Sequence, residues 1–249
     1  MTSIAWDRFV ETREHYRNEM KRLQKTLPDL QKILQKFVDG RAPSYQVETP
    51  IVYNGALDDI TRDSDIRLIL VGDNPGRREQ AAENRRYLVG PSGKIAEKFF
   101  RDNPSLDIDF RKNVIILNKT PIHTPRTVEL RELRRLGGAS LETALAESQR
   151  LMARLLADFQ QTIAGKVGAA PPVWITGYSE MKKGGVFEVY TNELKNIYGK
   201  TALGDTVFLY RHFSMNQFTI DLKRQTLPGE PLAQALGRIG RAYRQRFLF

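Results

Sequence analysis

The sequence predicts an α/β fold, a three-layer α/β/α sandwich with a central four-stranded parallel sheet and an N-terminal helical extension. Four short apolar runs end in turn residues, and helical patterns lie between them. Alternation of strands and helices favours parallel strands covered by helices on both faces. The runs are residues 67–71, 113–118, 172–177 and 205–210. We expect one domain over residues 1–249, with the extension at 1–65 and the α/β core at 66–249.

The N-terminal extension is predicted to be helical from Ser3 to about Phe37. Its apolar residues recur near helical spacing, and Pro28 is expected to divide it into two helices or to kink it. These helices could cover the sheet or bind a partner. The spacing of their apolar residues favours packing on the sheet. Residues 39–65 are expected to be irregular.

Helical patterns follow each of the later strands. Apolar residues at helical spacing predict helices that pack one face on the sheet. The expected helices are a run over residues 94–100, a long helix that begins at Ser140, a helix over 186–198 and a last helix over about 231–247.

The composition is that of an ordinary globular protein with a surplus of basic residues. Hydrophobic residues make up 41% and charged residues 27%, and the formal net charge is +10. This surplus indicates a polyanionic partner such as nucleic acid, although it also suits a protein that is merely soluble. Charge alone leaves both interpretations open.

The absence of cysteine excludes disulfides and thiolate metal sites. It favours an intracellular location, which would be the cytoplasm and its nucleoid in a bacterium. No apolar run has the length of a membrane span, and the N-terminus lacks the apolar core of a signal peptide. We expect no cofactor, no membrane association and a monomer.

Three strand ends carry polar residues that point to one site. The first run stops at Gly72 and leads to Asp73 and Asn74, the second ends at Asn118, and the fourth is followed by His212. Ligands of open α/β sheets bind outside the carboxyl ends of the strands, so these side chains are expected to share a crevice. Taken alone, an asparagine at a strand end is more often a turn cap, and a histidine is more often a packed or surface residue.

A second turn, Gly-Pro-Ser-Gly at residues 90–93, precedes the first helical run of the core. Its backbone amides and the helix N-terminus are suited to an anion such as a phosphate. The nucleotide-binding loop motif is excluded, because Leu88 stands at its first glycine and Ile95 follows Lys94.

The order of these motifs resembles the uracil-DNA glycosylase superfamily. Residues 72–76 read GDNPG and match its first motif, and residues 118–121 match its strand that ends in asparagine before a proline-marked loop. Glu79 and residues 88–93 (LVGPSG) are similar to the iron–sulfur class, although this chain has no cysteine for a cluster. Residues 212–214 (HFS) partly match the last motif, His-Pro-Ser. The resemblance covers residues 67–218.

The resemblance implies roles for the residues of the crevice. Asn74 would position the attacking water, with Asp73 as an alternative, and His212 would donate a hydrogen bond to uracil O2 as negative charge develops there. Asn118 would hydrogen-bond the uracil edge. Further residues are implied to contact the base: the backbone of Gly72 and Gly76, Leu88 at the position of the family's stacking aromatic, and its neighbour Tyr87 as a substitute.

The same resemblance implies a surface for DNA. A base inside a duplex must be flipped out, and an apolar side chain after the histidine motif would fill the stack. Met215 and Phe218 fit this wedge, while packing of both into the core is the equal alternative. The residues implied to contact DNA are Pro91, Ser92, Lys94, Lys119, Pro121, Ser214, Met215 and Asn216.

The function implied is that of a monofunctional DNA glycosylase in base excision repair, which hydrolyses the bond to uracil or another deaminated base and leaves an abasic site. No lysine stands as an evident Schiff-base nucleophile, so strand cleavage is not expected. A catalytically inactive nucleic-acid-binding protein and an enzyme of the same fold that acts on RNA or a nucleoside are the alternatives. Asn74 and His212 favour an enzyme, whereas Phe213, which replaces the motif's proline, and Leu88 favour the binding protein.

Overall fold

The computed structural model describes residues 1–164, 170–199 and 201–248. In this part of the chain four parallel strands form one sheet in the order β2-β1-β3-β4. The strands are β1 (Leu68–Gly72), β2 (Val114–Asn118), β3 (Val173–Thr176) and β4 (Val207–Tyr210). Helices cover both faces of the sheet, so the predicted three-layer α/β/α class is confirmed.

Successive strand residues point to opposite layers, and both layers are apolar. Ile69 and Val71 of β1 face one core, whereas Leu68 and Leu70 face the other. A strand buried on both faces has to be a continuous apolar run. This is why the sequence marks these strands so clearly.

Seven α-helices lie among the described residues. They are α1 (Ser3–Thr26), α2 (Leu30–Asp39), α3 (Pro91–Asp102), α4 (Leu130–Ile163), α5 (Glu188–Tyr198), α6 (Gln217–Gln225) and α7 (Leu232–Phe247). Helices α1, α2, α4 and α5 pack on one face, and α3, α6 and α7 pack on the other. Among the residues described, no helix combines the length and apolar character needed to cross a membrane.

The N-terminal helices pack on the α/β core, as their apolar spacing predicts. α1 ends at Thr26 and α2 begins at Leu30, so the chain breaks at Pro28 as expected. The ring of Phe9 in α1 lies 5.4 Å from that of Phe159 in α4, and the Tyr16 hydroxyl is 2.7 Å from the Tyr87 hydroxyl. These contacts attach the N-terminal extension to the α/β core.

Two helical segments differ from the prediction. The span of α4 consists of two helices that meet at a kink, where Gly138 has non-helical dihedral angles (φ 61°, ψ −159°), so the long helix expected from Ser140 follows the kink and a shorter helix, which was not predicted, precedes it. Helix α6 was not expected, because residues 217–225 follow the histidine motif and read as part of its loop. Phe218 and Leu222 are the buried apolar residues by which α6 packs on the sheet.

Candidate active site

A cleft of about 790 Å³ lies at the carboxyl ends of the strands. Residues that follow or end all four strands line it: Asp73 and Asn74 after β1, Asn118 at the end of β2, Gly177 after β3 and His212 after β4. The parallel sheet brings these positions together, since all its strands end at the same edge. Every member of the constellation identified in the sequence therefore reaches one cleft.

The Asn74 side chain is held in one orientation by the loop after β2. Its amide nitrogen donates to Thr124 Oγ1 at 2.9 Å and lies 3.4 Å from the Thr124 carbonyl oxygen. Its amide oxygen accepts from Thr127 Oγ1 at 3.0 Å. An amide oxygen has two acceptor positions, so one remains for a water or a substrate group.

A buried histidine outside the expected site supports this turn. His123 Nδ1 donates to the carbonyl oxygen of Pro75 at 2.7 Å, and the Tyr45 hydroxyl lies 2.7 Å from His123 Nε2. Burial lowers the pKa of His123 to about 4, so the ring is neutral at pH 7. His123 therefore fixes the backbone next to Asn74. In the sequence, the only sign of this role was the position of His123 in the proline-marked loop after β2.

Lys119 is a buried partner of Asp73 and does not contact solvent. Its ammonium donates to Asp73 Oδ1 at 2.5 Å and to the Thr176 carbonyl oxygen at 2.5 Å, and it lies 3.4 Å from the Gly72 carbonyl oxygen. The residue is 0% exposed. The expectation that Lys119 grips DNA phosphates is wrong, because phosphates cannot reach it.

His212 presents a single nitrogen for substrate. The backbone N–H of Ser214 donates to His212 Nδ1 at 3.0 Å, so the neutral ring carries its hydrogen on Nε2. Burial lowers the pKa of His212, the Asp73 carboxylate opposes this, and the Lys119 ammonium adds to it. The ring is thereby set as a neutral Nε2–H donor at pH 7.

Asn118 has a free hydrogen-bond donor in the cleft. The residue is 2% exposed, and its amide nitrogen has no partner among the described residues. Gly72 pairs with Asn118 across β1 and β2, and a Cβ at Gly72 would lie 2.6 Å from Asn118 Oδ1. Gly72 therefore makes room for this amide. Because a buried N–H without a partner is costly, this amide is suited to donate to a bound group.

Of the two residues considered for stacking on the base, only Leu88 lines the cleft. The Tyr87 side chain is buried elsewhere, and its hydroxyl donates to the Val52 carbonyl oxygen at 2.7 Å. The prediction that Tyr87 replaces the stacking aromatic residue is therefore wrong. Gly76 lines the cleft, and its N–H and that of Leu88 both donate to the Glu79 carboxyl, at 3.3 and 3.0 Å.

Helix α3 starts at the cleft wall, as the turn at residues 90–93 predicted. Pro91 and Ser92 line the cleft, and no side chain caps the first turn at Gly90. Lys94 is exposed but does not line the cleft. Gly90, Pro91 and Ser92 therefore line the same cleft as Asn74.

The loop after His212 splits between surface and core. Ser214 and Met215 line the cleft, and Met215 is 84% exposed, with its neighbour Asn216 also exposed. Phe213 and Phe218 are buried, and their rings stack 4.3 Å apart. Met215 therefore fits the expected wedge, whereas Phe218 belongs to the core.

Pro121 was expected at the DNA surface, and the structure buries it. Its carbonyl oxygen accepts from the N–H of Val52 at 2.9 Å. This contact ties the loop after β2 to the segment before β1. Pro121 therefore shapes the loop, and its burial does not fit the expected contact with DNA.

Sequence reasoning missed the residues that hold and surround the site. Thr124 and Thr127 fix Asn74, and arginines stand at the rim of the cleft: Arg77, Arg78, Arg126 and Arg211. The polar loop after Asn118 contains both threonines, and its polar character was a sign that it could contact the site. Nothing in the spacing of the arginines distinguished them from the many other basic residues.

Compared with known proteins, the chain matches no protein-family model and no curated protein. The functional inference therefore depends on the motifs and on the geometry of the cleft.

Proposed function

We propose that this protein is a member of the uracil-DNA glycosylase superfamily, a monofunctional DNA glycosylase that removes uracil or another deaminated base by hydrolysis and leaves an abasic site. The observation that carries the proposal is the cleft, in which Asn118 offers a buried amide N–H without a partner among the described residues and lines the same cleft as His212 and Asn74. A planar base with carbonyl groups on its edge complements these donors.

The Asn118 amide distinguishes bases by their edges. Uracil presents an N–H between two carbonyl oxygens, so an amide can donate to one oxygen and accept from the N–H. Cytosine has an amino group and an unprotonated nitrogen at the same positions, which would leave the amide donor facing another donor. An unsatisfied polar group in a closed site costs about 1–3 kcal/mol, and this supports a preference for deaminated bases.

The chemistry requires stabilisation of the departing base and a positioned water. Negative charge develops on the base as the glycosidic bond breaks, and the neutral His212 Nε2–H is a preorganised donor for it. The free acceptor position of Asn74 Oδ1 suits an attacking water. The Asp73 carboxylate beside it would stabilise positive charge on the sugar.

The lysines of the site support hydrolysis without strand cleavage. Lys119 is fully buried with its ammonium against three oxygen atoms, and Lys94 lies outside the cleft lining. A covalent imine requires a free amine that can reach the sugar. Neither lysine meets that requirement.

Nucleic acid would lie across the mouth of the cleft. The exposed Met215 is placed to enter the stack that a flipped base leaves, and Ser92 and Ser214 offer hydroxyl groups at the rim. Arg77 and Arg78 add exposed positive charge on the same rim. The net charge of +10 favours such a polyanionic partner.

The test is a cleavage assay on labelled oligonucleotides with one uracil, single-stranded or opposite guanine or adenine, with alkali to break abasic sites. Asn74→Ala and His212→Ala are compared with the matched controls Asn196→Ala and His15→Ala, which change exposed residues outside the cleft. We expect the first pair to lose activity and the controls to keep it.

Product that survives both cleft substitutions would contradict the assigned roles. An absence of product on uracil, hypoxanthine and xanthine, with DNA still bound without regard to the base, would favour the binding protein over the glycosylase.

A further inference from the structure

Two arginines that line the cleft are attached to opposite layers of the fold. Arg126 lies in the loop after β2, and Arg211 follows β4 directly. The carboxylates beside them belong to different layers. Glu129 precedes α4, which packs on one face of the sheet, and Asp221 lies in α6 on the other face. The cleft therefore has one of these arginines on each side.

A buried carboxylate positions Arg211. The side chain of Asp221 is 5% exposed, its Oδ1 lies 3.3 Å from Arg211 Nε, and its Oδ2 accepts from the Tyr243 hydroxyl at 2.9 Å. The side chain of Arg211 is 43% exposed. A guanidinium has five N–H groups, and the contact at Nε uses one of them. Arg211 is thus held by one edge, while much of its side chain stays accessible from the cleft.

Glu129 holds Arg126 in a similar way. Its side chain is 5% exposed, and its Oε1 accepts from Arg126 Nε at 2.9 Å and from Nη2 at 2.7 Å, while Arg126 is 72% exposed. A second arginine approaches each carboxylate. Arg41 Nε lies 3.6 Å from Glu129 Oε1, and Arg224 Nη2 lies 3.5 Å from Asp221 Oδ1. Neither of these lines the cleft, so each is a matched control for the arginine that does.

This arrangement suits phosphate groups. A buried carboxylate is costly unless it is paired, so each carboxylate fixes its arginine in place. A fixed guanidinium loses less conformational freedom on binding than a mobile one, and its planar fork matches the oxygens of a phosphate. Two such groups on opposite sides of one cleft fit the phosphates before and after a single nucleotide. A free nucleoside has neither phosphate, and a mononucleotide has only one.

We propose that Arg126 and Arg211 form a phosphate clamp, which binds the two phosphates that flank the flipped nucleotide. The substrate is then an internal nucleotide of a polynucleotide. This inference rests on the proposed function for the identity of the base. The phosphate contacts themselves are measurable on DNA that the protein cannot cut.

The first test is binding of a labelled single-stranded oligonucleotide with one stable abasic-site analogue, measured by fluorescence anisotropy. Arg126→Lys and Arg211→Lys keep the charge and remove the fork, and each should weaken binding about tenfold. Arg41→Lys and Arg224→Lys change the arginines outside the cleft and should bind as the wild type does. Wild-type affinity in either cleft variant overturns the clamp.

Neutralising single phosphates identifies the two contacts. A methylphosphonate on the 5′ or the 3′ side of the analogue removes one negative charge from the DNA. Each lysine variant should lose no further affinity when the phosphate of that arginine is neutral, and about tenfold when the other phosphate is neutral. Equal losses with every oligonucleotide would mean that the arginines contact neither flanking phosphate, which overturns the proposal.

Asp221→Ala separates positioning from charge. The substitution removes a negative charge, so a simple count of charges predicts tighter binding of DNA. We expect weaker binding, because Arg211 loses the carboxylate that holds it. Tighter binding by the folded variant would overturn the positioning of Arg211. If the variant does not fold, the lysine variants decide.

The binding assays separate this inference from the proposed function. Protein that shows both phosphate contacts but releases no base would support the clamp and contradict the glycosylase. Release of uracil by lysine variants that bind as the wild type does would contradict the clamp and keep the glycosylase. Where base is released, free deoxyuridine should remain uncut, and its cleavage at the rate of the oligonucleotide would also overturn the clamp.

Discussion

Glu79 makes the stability of the cleft wall dependent on pH. Its carboxyl group is buried and holds the N–H groups of Gly76 and Leu88. Burial raises its pKa from 4.5 to about 7, against the opposing effects of those two hydrogen bonds and of Arg111. A folded-state pKa above the unfolded value means that the folded protein binds the proton more tightly. Its contribution to stability is therefore present below pH 4.5 and is lost as the pH rises to about 7.

The size of this effect follows from the shift. Each pKa unit corresponds to about 1.4 kcal/mol, so a shift from 4.5 to about 7 corresponds to about 3 kcal/mol of unfolding free energy between pH 4 and pH 8. Glu79→Gln removes the titration and keeps the shape. Chemical denaturation of both proteins at several pH values gives their difference, in which all other titrating groups cancel. We expect the wild type to lose about 3 kcal/mol relative to the variant over that range.

Parallel stability curves for the wild type and Glu79→Gln would refute this reasoning. They would mean that the carboxyl group ionises in the folded protein as easily as in the unfolded chain. A difference between the two proteins at pH 4, added to the pH-dependent change, is compatible with the account, because the Gln amide cannot accept both backbone N–H groups.

Three further predictions concern the cleft and its rim. Gly93→Ala places a Cβ 1.6 Å from a backbone carbonyl oxygen and should lower the unfolding free energy by about 3 kcal/mol, whereas Gly90→Ala, with open space at its Cβ, should be nearly neutral in the same denaturation experiment. Met215→Ala should reduce excision from duplex DNA by about tenfold and excision from single strands much less, with the exposed Ile220→Ala as a control of equal kind. Arg77→Ala should lower the slope of log affinity against log salt by about 1, measured by fluorescence anisotropy on DNA; an unchanged slope would remove Arg77 from the phosphate contacts.

The sheet was predictable because each strand is buried on both faces. Such strands must be continuous apolar runs, and the turn residues after Gly72 and Asn118 mark their ends. A parallel sheet then brings the polar residues after those ends to one edge. The meeting of Asn74, Asn118 and His212 in one cleft was thus inferable from the order of the motifs.

The direction of individual side chains was not predictable in the same way. Lys119 reads as a surface residue, because most lysines are exposed, and only the three oxygen atoms around its ammonium account for its burial. Tyr87 turns to Tyr16, a residue 71 positions away in the chain, and no local pattern reports such a contact. For Met215 and Phe218 the sequence left the wedge and packing into the core as equal alternatives. The structure exposes Met215 and packs Phe218 against Phe213.

The central claim is that the cleft releases a free base. Its most direct measurement is chromatographic detection of the base after incubation of the wild-type protein with DNA that contains uracil, next to the same DNA with cytosine at that position. The account predicts free uracil in amounts equal to the alkali-sensitive sites, and no free cytosine. Binding of both DNAs without release of uracil, hypoxanthine or xanthine would contradict it.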